Sequence, residues 1–135
     1  IIHSNQKARI ALAITLNDIM AEDFQIVVEE HVERNTNLLD TMSKYQTASS
    51  RLNRAVTKAA TQCGCISLTG RKRSGQAKTG VEGKLCKNCR EAIEKEMGDV
   101  LFYHAAMCNA LGLSIYDVRL KEKQTLFALG EYSLK

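Results

Sequence analysis

Four of the chain's five cysteines fall into two close pairs, Cys63-Gly-Cys65 and Cys86-Lys-Asn-Cys89, with twenty residues between them. In a reducing compartment, two short-spaced thiol pairs point to Zn²⁺ before they point to disulfides. Tetrahedral zinc takes thiolates at about 2.3 Å, and pairs approaching from opposite ends of a loop meet that geometry. A redox pair, a disulfide and incidental thiols are the competing readings of the same residues. With all four positions filled by Cys there is no place for water, so such a metal is structural and not catalytic. Cys108 stands apart, on the apolar stripe of a helix, and reads as a small buried hydrophobe.

A second chemistry is offered by Glu96 and Asp99. Three residues apart on a helix, they project from one face, with Tyr103 one turn further on. Hard cations such as Mg²⁺ want oxygen ligands, and this pair supplies two. The same spacing also describes a solvated, salt-bridged face, with Lys95 and Arg90 as partners. Basic residues give a third signal. The net charge of +4 is concentrated in Arg71, Lys72, Arg73 and Lys78, in a stretch containing Gly and Ser. That run is either a solvated loop or a contact for phosphate or nucleic acid. No aromatic residues interleave with it, so a stacking platform for single strands finds no support.

The elements that must position these residues are helices. The chain has no Pro and no Trp, and its length of 135 residues suits one domain able to bury a core without disulfides. Residues 1–16 read as a weak, frayed start; the apolar run Ile10–Leu16 is far shorter than the roughly 20 residues of a membrane span. With no signal cleavage site after it, the chain reads as cytoplasmic. A helix is expected from Ile19 to about Arg34, capped at Thr15 or Asn17 and followed by a break at Asn35-Thr36-Asn37. A long helix then runs from Leu38 to about Gln62, with Leu38, Met42, Tyr45, Leu52, Val56 and Ala59 on one stripe. Gly64 can end it. Residues 66–85 read as an irregular loop with a short hairpin at Ile66–Leu68. Loops of that length are functional or tied at both ends, and the cysteine pairs provide the tie. Asn88 with Glu91 forms a capping box that opens a helix from Cys89 to Leu111, placing the second thiol pair at its positive end. Gly112 closes it, and Ser114 with Asp117 caps a last helix. The fold class is therefore all-α: a single helical domain over 1–135, with residues 64–87 as a zinc-stapled insertion.

Glu96-Met-Gly-Asp99-Val-Leu-Phe-Tyr103, then Ala105-Ala106 and Asn109-Ala-Leu-Gly-Leu-Ser-Ile-Tyr-Asp-Val118, resembles the second half of the MazG-like nucleoside triphosphate pyrophosphohydrolases. That family has an E-x-x-D helix followed by an A-L-G-[IL]-[DS] turn into another helix; the resemblance covers residues 91–123. It implies an all-α fold in which two or more subunits build a site for a nucleotide and Mg²⁺, so a homo-oligomer is expected. It also implies metal-assisted attack of water on the triphosphate, releasing pyrophosphate and a monophosphate. The first half departs from the family. Where E-E-x-x-E should supply further ligands, the chain reads Leu52-Asn-Arg-Ala-Val-Thr-Lys-Ala-Ala60, without an acid, and Arg54 and Lys58 put positive charge there. Glu29-Glu30-His31-Val32-Glu33 matches the motif one helix too early. Two readings follow: a Mg²⁺-dependent pyrophosphohydrolase, or a zinc-stapled binding or regulatory module in which Arg54 and Lys58 engage a nucleotide, a nucleic acid or an acidic protein partner.

Overall fold

The computed structural model describes Met20 and residues 23–32, 37–69 and 79–130. The frayed start expected over 1–16, the caps at Thr15 and Asn17, the break at Asn35-Thr36 and the basic residues Arg71, Lys72, Arg73 and Lys78 lie outside the described residues. The architecture is all-α with one small sheet. Its elements are α1 (23–31), α2 (Leu38–Lys58), β1 (Ile66–Leu68), β2 (Val81–Gly83), α3 (Lys87–Leu111) and α4 (Ile115–Leu129). They fall into two compact units, one formed by Leu39–Tyr103, the other by Ile1–Leu38 with His104–Lys135.

In the unit Leu39–Tyr103, α2 carries Asp40 in its first turn and Lys58 in its last, each complementing the helix dipole. Lys44 reaches back one turn to Asp40 at 2.6 Å, and that hydrogen bond raises the pKa of the ammonium. The expected helix to Gln62 changes character near its end: Ala59–Cys63 form a single π turn. Gly64 stops it in the left-handed region, φ 75°, with its N–H donating to the Ala59 carbonyl at 2.9 Å.

The small core of this unit is Ala59, Ile66 and Ile93, with Leu52, Val56, Val81 and Leu85 packed against it. It joins the end of α2, the sheet and the start of α3. The sheet refines the reading of 66–85 as irregular. β1 pairs antiparallel with β2 in the register Ile66↔Gly83, Ser67↔Glu82, Leu68↔Val81. Val81-Glu-Gly is too short to read as a strand from its own alternation; it is one because β1 offers it a ladder. Gly83 is required there: its φ is +88°, and a Cβ would stand 2.6 Å from the Cys65 carbonyl oxygen.

α3 begins at Lys87, earlier than the cap expected at Asn88. The Cys86 sulfur occupies the cap position instead, accepting the Cys89 N–H at 3.4 Å. A thiol can take the place of a capping hydroxyl or amide when its Cβ is already held beside the helix end.

The other unit has its own buried residues, Val28, Ala105, Ala106, Cys108 and Ile115. Gln25 of α1 ties it together. Its amide nitrogen donates to Asn109 Oδ1 at 2.8 Å and to the Leu113 carbonyl at 2.7 Å, while its oxygen accepts the Ile115 N–H at 2.9 Å. Gly112, φ +65°, turns the chain out of α3 as expected, and Ser114 caps α4 by accepting the Asp117 N–H. Among the described residues no helix is long and apolar enough to cross a membrane.

Candidate metal centre

The sulfurs of Cys63, Cys65, Cys86 and Cys89 all lie within 4.8 Å of one another. Each is placed by a different local device. Cys63 ends the π turn, and Gly64 then reverses the chain so that Cys65 faces the same space. Cys65 enters β1, with its carbonyl pressed against Gly83. Cys86 and Cys89 are the cap and third residue of α3. The loop that separates the pairs in sequence is closed by the sheet, so twenty residues of separation become a few ångströms.

The spacing is compatible with a tetrahedral thiolate set. Four sulfurs at about 2.3 Å from one metal stand roughly 3.8 Å apart along each tetrahedral edge. Cys63 Sγ and Cys86 Sγ are 3.8 Å apart, and the remaining separations need only a small contraction. All five cysteines are free thiols. The Cys89 N–H and thiol both stabilise the Cys86 thiolate and lower its pKa to about 7, so this thiol is about half ionised at neutrality. The same thiol contact pushes Cys89 up to about 12. Cys108 is buried on its helix, outside this cluster, and burial raises its pKa.

Glu96 and Asp99 project together, as expected, but onto a cation of the chain itself. Arg51 of α2 donates from Nε to Glu96 Oε2 at 3.0 Å and from Nη2 to Asp99 Oδ2 at 3.3 Å. The hydrogen bond to Glu96 is the main reason that Arg51 is held above its ordinary pKa. Lys95 adds a second cation, 3.4 Å from Asp99 and 3.9 Å from Glu96, whereas Arg90 pairs with Glu94. Glu29 and Glu30 are exposed on α1, and Glu33 lies outside the described residues.

Between the thiols and this ion-paired cluster runs an open cleft of about 460 Å³. Arg51, Arg54 and Lys58 line it from α2, Asn88, Ala92 and Glu96 from α3, and Cys63 and Cys89 at the thiol end. The structure therefore brings Arg54 and Lys58 next to the thiol cluster. Sequence reasoning missed Arg51. It lies twelve residues before Cys63, while Glu96 and Asp99 lie ten and thirteen after Cys86. A thiol clamp between two helices running in opposite directions makes those distances equal, and that count was the available signal. Comparison with protein-family models, with curated proteins and with solved structures gave no match for this chain.

Proposed function

We propose that the protein is a zinc-stapled helical binding module that keeps a MazG-like helical pattern without its hydrolysis. The observation carrying this reading is a contrast between two sites. Four thiols stand within 4.8 Å of one another, while the acids suited to Mg²⁺ are neutralised by Arg51 and Lys95. Zn²⁺ bound by all four cysteines is structural: it holds the end of α2, the sheet and the start of α3 together without touching a substrate. Met97 and Leu101 of α3 are about half exposed, which favours self-association of the module.

The pyrophosphohydrolase reading keeps one observation in its favour. Glu96 and Asp99 already converge on a single positive charge, and Mg²⁺ could replace Arg51 there. One experiment decides between them: pyrophosphate release from a panel of nucleoside triphosphates with Mg²⁺ or Mn²⁺, on protein assayed for zinc. One zinc per chain with no turnover is the expected result. Turnover that disappears in Asp99→Asn and in Glu96→Gln, with the helices intact, overturns the module reading and establishes the enzyme.

A further inference from the structure

We infer that the cleft beside the thiol cluster is a binding site for the phosphate group of a small phosphorylated molecule, held between Arg54 and Lys58 of α2 and Asn88 of α3. The inference deepens the module reading and rests on it. Arg54 and Lys58 stand one helical turn apart, so both side chains emerge on the face that lines the cleft. Among the described residues neither takes part in an ion pair, whereas Arg51, the third cation of the cleft, is engaged by Glu96 and Asp99. Like charges at this spacing disfavour a helix. An anion seated between them turns that repulsion into two attractions.

The space fits. Ala55, Ala59 and Ala92 line the cleft beside the cations, and their small side chains leave space within it. Its volume of about 460 Å³ exceeds a bare oxyanion and falls in the range of small-molecule sites. On the α3 side of the cleft, Asn88 lies in the first turn of the helix, where an amide donor and the positive end of the helix favour negative charge. Arginine and lysine together supply a planar fork and a point charge, a combination suited to phosphate oxygens.

The same cations have a competing role, because four thiolates around Zn²⁺ carry a net charge of about −2 at the Cys63 end of the cleft. Arg54 lies nine residues before Cys63, roughly 13 Å along a helix axis, too far to serve that charge directly. An anion in the cleft accordingly takes Arg54 as its own charge partner, with Lys58 and Asn88 as further contacts.

The test is calorimetric titration of the zinc-loaded full chain with inorganic phosphate and with pyrophosphate. The wild type is compared with Arg54→Gln/Lys58→Gln and with Lys121→Gln from the other unit as a charge control. Circular dichroism and zinc content are read on each sample. The expected result is salt-sensitive binding, weakened at least about tenfold in the double variant and unchanged in Lys121→Gln. Absence of binding at millimolar ligand overturns the inference, as does equal binding by the double variant. A double variant that loses zinc affinity while keeping phosphate affinity also overturns it, and assigns the cations to the metal centre. Pyrophosphate release measured on the same preparation tests the module reading separately, since phosphate affinity and turnover can fail independently.

Discussion

The guanidinium of Arg51 donates to Glu96 Oε2 at 3.0 Å, forty-five residues away in sequence, and its other arm reaches Asp99. This fork places a fixed positive charge between the two carboxylates. Arg51→Ala is expected to leave two adjacent carboxylates facing only Lys95, to lower thermal stability and to create a weak site for Mn²⁺. Paramagnetic line broadening of the wild type and the variant by Mn²⁺ checks this. Equal broadening in both removes Arg51 from that role.

Cys86 belongs to the four-thiol cluster and also caps α3. Cys86→Ser keeps a capping oxygen but removes a thiolate, so helix content should survive while zinc affinity falls by more than about 100-fold, beyond the cost of an outer-shell change. Cys108→Ser, outside the cluster, should retain zinc and lose about 1–3 kcal/mol of stability from a buried hydroxyl. An unchanged melting midpoint in metal-free Cys86→Ser would sink the structural role of the metal.

The thiol pKa values give zinc binding a bent pH profile. A thiol protonated in the free protein releases its proton to the solvent when metal binds, so affinity rises with pH until that thiol is already ionised. Cys86, with a pKa of about 7, contributes this dependence below pH 7 and ceases to contribute above it; Cys89, near 12, contributes throughout. The logarithm of zinc affinity should therefore rise about one unit per pH unit more steeply below pH 7 than above. Competition with a chromophoric chelator from pH 6 to 8.5 measures the slope, and a straight line contradicts the lowered Cys86 pKa.

Gly83→Ala should cost about 1–3 kcal/mol, because the residue has positive φ and its Cβ would meet the Cys65 carbonyl. Since Cys65 belongs to the thiol cluster proposed to bind zinc, part of that cost should appear as weaker zinc binding. Thermal melts with and without chelator separate the two contributions: an equal loss in both says that the strain stays in the sheet.

In the other unit, Gln25→Leu should lose about 1–3 kcal/mol by leaving the Leu113 carbonyl and the Ile115 N–H without their partner. Gln25→Glu should be worse near neutral pH, because a carboxylate cannot donate to the Leu113 carbonyl or to Asn109 Oδ1. Urea midpoints for both variants check the order.

Much of this was legible in the residues. The apolar stripes of α2 and α3, Gly64 and Gly112 as stops and Ser114 as a cap follow from local chemistry that no distant contact overrides. The pairing of cysteines was legible because a metal site leaves close spacings at both ends of its loop. β2 was not, since three residues with one apolar position carry no pattern without their partner. The capping role of Cys86 was hidden because thiols are not read as caps. The fork at Arg51 needed the register between two helices, which propensity and periodicity do not encode. That register came only from the clamp.

Beyond β1, Thr69 N–H donates to the Gly80 carbonyl at 2.7 Å, so the chain leaves and re-enters the sheet at hydrogen-bonded positions. The ten residues between them are bracketed by this closure, and lengthening a loop costs little once its ends are fixed. A break there would divide the thiols into two fragments, one carrying Cys63 and Cys65 and the other Cys86 and Cys89. If the four thiols hold a metal, the two halves of the chain would then be separate peptides whose reassembly depends on metal concentration.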